Sequence, residues 1–289
     1  LSLCVGCNTG THESSTATAA TTATPPSTAA PPTTPTPPPT TPTTYDPPWA
    51  GVVATNTITL NHDVALTDSQ NGAALAAAIN GLAPGDRLEL GSGTWSIEAY
   101  FDLQVQGTAA APIWIVAQQG ATPIVTRGNN SQNVLNVGVG SQTRYLCLRG
   151  LEITGGSAIV RLYDCSNVWI DQCHIHHGDE VCITANTRDT DHLYITRNEV
   201  HDGGGTAEGM YLGANNSGVI MRDSVIALNH VYNCAGTQGD GIEVKQGSHS
   251  NLIAENLVHD TNYPAIIAYG TDGNPPNVIE KNICYGSND

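Results

Sequence analysis

From Leu148 onward the chain repeats one six-residue pattern: LRGLEI, IDQCHI, ITRNEV, IALNHV, IAENLV and IEKNIC. An apolar residue stands first and usually last around a polar centre, with Asn198, Asn229, Asn256 and Asn282 in the fourth place. Successive fourth places lie 22, 25, 31, 27 and 26 residues apart. Each unit is followed by a Gly/Asn/Asp turn and a second short apolar run: SAIV, EVCI, EGMYL, DGIEV and PAIIAY. A unit this short cannot bury its apolar face alone. Stacked on its neighbours, at the roughly 4.8 Å spacing of paired strands, it can. The pattern predicts an all-β solenoid, and its asparagines predict a structural ladder that ties turn backbone from coil to coil.

Upstream, AALAAAINGL (Ala73 to Leu82) is the one helix-like run. It is expected to cap the open first coil and hide its strand edges. PGDRLELGSGTWS and GTAAAPIWIVAQQGATPIV follow as the first coils. This opening resembles that of right-handed parallel β-helix proteins, in particular the alginate lyase and chondroitinase B type of polysaccharide lyase. The resemblance runs from about Asn71 to the end of the chain. It implies a right-handed parallel β-helix; many proteins of that class share the opening and differ in chemistry.

Asp and Glu number 26 against 10 Lys and Arg, a net charge of −16. Such a surface repels nucleic acid and anionic membrane, and an anionic partner would need a divalent cation as a bridge. One Phe and two Met against 30 Gly exclude a helical bundle. The opening LSLCVGC reads as the remnant of an export signal, residues 1–10, with Cys7 after Val5-Gly6 where a bacterial lipoprotein carries its lipidated cysteine. A redox Cys-x-x-Cys pair is the alternative. Thr11 to Pro48, rich in Thr, Ala and Pro, is expected to be a disordered linker that packs against nothing, with the β-helix domain starting at residue 49. The expected whole is an exported monomer, extracellular or held on a bacterial surface as an outer-membrane lipoprotein. Its only membrane contact would be the anchor. Cys147, Cys165, Cys173, Cys182, Cys234 and Cys284 either pair as disulfides or sit singly in the coils. NVIEKNICYGSND reads as the start of a further coil, so the chain is expected to be a fragment.

The candidate chemistry centres on GDGIEVKQGS, which holds one of only two lysines, Lys245 and Lys281. Alternate side chains of a strand share a face. With Ile242 and Val244 inward, Glu243 and Lys245 point outward together, so removing Lys245 should leave the fold intact. Aligning the coils puts Asp179, Glu208 and Asp240 in one column, Tyr211 above Glu243, and Tyr269 below Lys245. Glu208, Asp240 and Glu243 are oxygen ligands suited to Ca²⁺, with Asp179 and Tyr211 as substrate contacts. This set suits β-elimination of a uronate sugar: the metal neutralises the carboxylate, Lys245 removes the C5 proton, and Tyr269 protonates the leaving oxygen. Without a cation the neighbouring carboxylates would raise the lysine pKa and make it a poorer base. The lyase resemblance adds that the catalytic Lys follows a calcium-binding Glu by a few residues on such a strand, as Lys245 follows Asp240 here. The family's general-acid Arg on the following coil is absent, because that region reads PAIIAYG.

The plainer alternative makes Glu243 and Lys245 an exposed ion pair worth about 0–1 kcal/mol. Two other functions compete. One is a glycoside hydrolase using Glu208 and Asp240, whose neighbouring coils suit the roughly 5–5.5 Å separation of a retaining enzyme. The other is a glycan-binding or surface-display module on a Thr/Pro stalk. His176, His201 and His259, with Tyr232 between them, share one repeat position and read as a stacked ladder, the weaker alternative being a zinc site from His174, His176 or His177.

Overall fold

The computed structural model describes residues 44–288. Within them the chain winds through three parallel sheets: a first with nine rungs from Asn56–Leu60 to Val278–Glu280, a second of eight strands and a third of seven. The seven coils from Asp86–Leu90 to Ile266–Ala268 each contribute one strand to each sheet in turn, and every pairing between the named strands is parallel. This is a parallel β-helix, as the repeat predicts.

The first apolar place of each unit forms one inward column, Ile170, Ile195, Ile226, Ile253 and Ile279. The sixth place forms another, Ile175, Val200, Val231, Val258 and Cys284. The second apolar run supplies a third, Ile183, Met210, Ile242 and Ile266. These columns fill the bore, and Ile153, Ile170, Ile195, Ile226, Ile242, Val244, Ile253 and Val258 are buried as expected. Ile266 is only partly buried.

The corner between the first and second sheets turns on the third place of each unit. Gly150, Gln172, Arg197, Leu228, Glu255 and Lys281 all take positive φ, from 52° to 70°. The left-handed conformation costs a non-glycine residue about 1–2 kcal/mol. It also removes the next N–H from the strand ladder, and after Gln172, Arg197, Leu228 and Glu255 an asparagine of the following coil meets that need. Asn229 Oδ1 accepts from Asn198 N at 3.0 Å, and Asn229 Nδ2 donates to the Ile195 carbonyl at 2.8 Å and to Asn256 Oδ1 at 2.9 Å. Asn198, Asn256 and Asn282 repeat the pattern. A second ladder through Ser224, Asn251 and Asn277 ties the corner before the first sheet.

The helix spans Asp68–Asn80, starting earlier than the Ala-rich run suggests. Thr67 and Gln70 close a capping box, and only this polar first turn lets the helix begin five residues before Ala73. Leu75 and Ile79 pack on the first coil. Gly72 lies so close to it that an added Cβ would stand 2.0 Å from the Ser96 carbonyl oxygen.

Cys7 and the linker up to residue 43 lie outside the described residues. The described end of the expected linker is packed, which moves the domain boundary earlier. Pro47 is buried, Asp46 pairs with Arg197 at 2.7 Å, and the Tyr45 hydroxyl donates to Glu255 at 2.9 Å. The cause is Trp49, 3% exposed. Cys147 lies between Trp114 and Trp169 in one outward column, and its small side chain leaves a notch. Trp49 sits there, 5.7 and 5.8 Å from the two rings. All six cysteines of the coils are unbonded, five of them buried. Among the described residues no helix is long and apolar enough to cross a membrane.

Replacing Asn229 by Ala should cost about 3 kcal/mol in denaturant unfolding, because it strands Asn198 N and the Ile195 carbonyl, two buried backbone groups of the preceding coil. Asn282→Ala, in the last described coil, should cost nearer 1 kcal/mol. Equal losses at the two positions would show that the ladder does not act through burial.

Candidate functional site

The strand Ile242–Val244 alternates as expected, Ile242 and Val244 inward and Glu243 outward, with Lys245 just beyond its end. The neighbouring coils decide the rest. Register places Tyr211 beside Glu243 and carries Tyr269 beside Lys245. The Lys245 ammonium lies 4.3 Å from the Tyr211 ring centroid and 5.1 Å from that of Tyr269, and it is hydrogen-bonded to Glu243. Gly213 makes the room: a Cβ there, where φ is +89°, would stand 3.1 Å from Lys245 Cβ and 2.7 Å from Ser248 Oγ.

These side chains point out of the bore, yet they are covered. Glu208 is 2% exposed, Glu243 3%, Asp240 6% and Lys245 6%. The expectation of an exposed pair is corrected, and burial means that removing Lys245 is expected to cost stability. The two rings form walls that a single strand's alternation does not reveal.

Glu208 and Asp240 hold matching positions on adjacent coils, each two residues before its strand, and Gly209 N donates to the Asp240 carbonyl at 2.9 Å. Asp179 does not join them. Its strand, Ile183–Ala185, begins four residues later, so Val181 takes the matching place. Asp179 instead accepts from Asn130 Nδ2 at 2.9 Å. Unequal turn length shifts it out of the column.

Burial governs the ionisation. Burial, then the charges of Glu243 and Glu208, push the Asp240 carboxyl up to about 7. Burial also raises Glu208, against a hydrogen bond from Thr206. For Lys245 burial acts to lower the pKa, but the hydrogen bond and charge of Glu243, with Tyr211 adding, hold it above the usual lysine range. Burial is likewise the main cause that raises the Tyr269 phenol.

Beside this cluster opens a cleft of about 370 Å³, lined by Arg161, Glu180, Thr184, Asn186, Glu208 and Tyr211. Three of its buried polar atoms, Arg161 Nε, Thr184 Oγ1 and Glu208 Oε2, have no hydrogen-bond partner. Buried polar groups are seldom left so, and three on one cleft mark a surface prepared for a polar ligand. Sequence reading missed Arg161 and Thr184. Counting back from Glu243 one coil at a time gives Tyr211, Thr184 and Arg161, so the signal was present in the register.

Elsewhere, His176, His201, Tyr232, His259 and Tyr285 do form one column of stacked rings on the second sheet. Their centroids are 5.1, 4.5, 5.3 and 4.6 Å apart in turn. Burial and the neighbouring imidazoles lower the His176 pKa to about 4. Among the described residues, three groups of potential metal ligands converge to within 4.8 Å, and each contains histidine. The carboxylates of Glu208, Asp240 and Glu243 are not so gathered, since Glu243 is turned toward Lys245.

Residues 113–285 match the family described as the right handed beta helix region. Among solved structures, pectate lyase Pel9A superposes with a TM-score of 0.51 at 15% identity, over 73% of this chain and 55% of that one. The chain thus spans about half the length of that enzyme. An alginate lyase from Paenibacillus sp. str. FPU-7 gives 0.46 at 18% identity, over 82% of this chain and 97% of that one. A mannuronic acid specific polysaccharide family 6 lyase from human gut microbiota gives 0.44 at 17%, over 80% and 59%. No curated protein sequence matches significantly.

Two measurements check this site. Lys245→Ala should cost about 3 kcal/mol in urea unfolding by leaving Glu243 buried and unpaired, and adding Glu243→Ala should recover part of that loss. A carboxyl with a raised folded pKa stabilises the fold while protonated; that contribution is full below about 4 and is lost as pH rises to about 7. Wild type should therefore lose thermal stability relative to Asp240→Asn across that window, and a difference independent of pH would count against the buried acid.

Proposed function

Because the chain belongs to the right-handed β-helix family, we propose that the outer face of its third sheet cleaves acidic, uronate-containing polysaccharide by calcium-assisted β-elimination. The observation that carries this reading is a lysine walled by two tyrosines and three buried carboxylates, beside a cleft with unpartnered polar atoms. The likeness of the Asp240-to-Lys245 run to the chondroitinase B type of lyase supports it, as does the fold shared with a pectate lyase.

Glu208, Asp240 and Glu243 would hold the cation. The donor chemistry fits a hard divalent ion: all the ligands would be carboxylate oxygens, Glu208 Oε2 is buried with no partner, and Glu243 would turn from Lys245 to complete the set. When bound, calcium would neutralise the substrate carboxylate and so acidify the proton at C5. Lys245, as the neutral amine, takes that proton. The electron pair left on C5 forms the C4–C5 double bond, the bond from C4 to the glycosidic oxygen breaks, and the Tyr269 hydroxyl protonates the departing oxygen. Tyr269 is 43% exposed and stands next to Lys245 in register, so it can reach a sugar lying along the face. Arg161, one coil beyond Thr184, offers a cation to a second uronate along the chain of sugars. Glu243 holds Lys245 as an ammonium, so the rate should rise toward alkaline pH. Export and anchoring through Cys7 belong to the same proposal, since polymeric glycan is met outside the cell.

The test is a screen of alginate, pectate and glycosaminoglycans for unsaturated, ultraviolet-absorbing product. Activity should vanish with chelator and return with Ca²⁺ but not Zn²⁺. Lys245→Arg should lose about 100-fold or more, because guanidinium does not accept the proton. Full activity in that variant would end the case for Lys245 as base. New reducing ends without unsaturated product would transfer the site to hydrolysis by Glu208 and Asp240, and binding without cleavage would leave a glycan-binding module.

A further inference from the structure

The ring column on the second sheet has two unlike ends. At one end Tyr232, His259 and Tyr285 stack face on face, and His230 reaches His259. At the other end, two histidines from outside the column turn into it. His174 Nε2 lies 2.7 Å from His201 Nε2, and His177 Nδ1 lies 2.6 Å from His176 Nδ1. His201 Nδ1 stands 2.6 Å from Asp202 Oδ2 and donates its proton there, which leaves the His201 Nε2 lone pair directed at His174. Register sets Glu199 beside His174, and the Tyr232 hydroxyl, at 2.8 Å, orients the Glu199 carboxylate. His174, Glu199 and His201 each offer a ligand atom, and the three atoms lie within 4.8 Å of one another.

We propose that His174, Glu199 and His201 form a binding site for a divalent transition metal, best suited to zinc, on the face of the second sheet. Two imidazoles and one carboxylate are a borderline donor set that favours zinc over calcium, and three protein ligands leave a fourth position for water. Both nitrogens would sit about 2.0–2.1 Å from the ion, so the pair opens by a few tenths of an ångström from its present hydrogen bond. Asp202 on His201 and Tyr232 on Glu199 are the outer partners that hold such ligands in place. Glu199 and His177 are exposed, which gives the ion a path from solvent.

The repeat supplies its own control. Two coils on, His230 Nε2 lies 2.8 Å from His259 Nε2, and Asp260 takes His259 Nδ1 at 2.8 Å, the same geometry again. There, however, Leu257 occupies the place that Glu199 holds beside His174. The paired imidazoles recur; the third ligand does not. The site therefore belongs to the first pair alone, and it is independent of the lyase reading because it lies on another sheet.

The experiment titrates the protein with zinc chloride by calorimetry and records the visible spectrum with cobalt. One metal per chain is expected, with the strong absorption of a tetrahedral nitrogen–oxygen site. Glu199→Gln, at an exposed position, should weaken zinc binding about 10-fold or more while unfolding as wild type does. His201→Ala should abolish binding, and His230→Ala should leave it unchanged. Leu257→Glu should raise the stoichiometry to two. Absence of stoichiometric zinc in the wild type, unchanged affinity in Glu199→Gln, or equal losses in His230→Ala and Glu199→Gln would each overturn the proposal.

Discussion

The structure depends on one corner, repeated. A residue in the left-handed conformation turns the chain from the first sheet to the second, and from Arg197 onward the next residue is an asparagine whose side chain bonds the coil before it. The turn strands a backbone N–H, and the asparagine of the following coil answers it. Because each asparagine holds both its own coil and a neighbour, it fixes register as well as stability. A slip of one residue would reverse every inward and outward side chain. The ring column on the second sheet and the charged cluster on the third are both outward columns, and they exist only because that register is kept.

The bore of the helix is uniform, and individuality lies on the outward faces. On the first sheet the face is apolar and closed by Trp49, which settles over Cys147 between two tryptophans. The second carries stacked imidazoles and phenols, and the third carries buried carboxyls and a lysine under tyrosine walls. Asp171 shows how a charge is tolerated in such a place. It is fully buried, but Arg149 and Arg197 reach it at 2.7 Å and Thr196 donates to it at 2.8 Å. The third-sheet carboxylates have no such supply: Lys245 is one cation among Glu208, Asp240 and Glu243. Burying unbalanced charge works against folding. Stability gives no reason to place it there, and the proposed cation and sugar site would supply one.

Reading the sequence succeeded where a short period controls the outcome. The six-residue units, the asparagine ladder and the column His176, His201, Tyr232, His259 were all legible, because each follows from counting within a nearly constant repeat. The register that sets Tyr211 beside Glu243 and Tyr269 beside Lys245 was legible for the same reason. Counting failed where turn length varies. Asp179 looks like a member of the Glu208–Asp240 column, yet it begins a longer approach to its strand and falls out of line. Arg161 and Thr184 were overlooked although they stand in the column of Glu243, since neither is a carboxylate beside a lysine.

By itself the sequence determined a stack of coils, the strands that compose it and the direction of each side chain, because these follow from local periodicity and from the need to bury apolar residues. Only the tertiary structure decided that the outward pair Glu243 and Lys245 is covered and that residues 45–49 belong to the fold. It alone decided that His174 turns across its column to meet His201. These outcomes rest on contacts between coils, or between the chain's start and its middle, where the shape left by one side chain admits another. Alternation states which way a residue points, and nothing in it states what stands opposite.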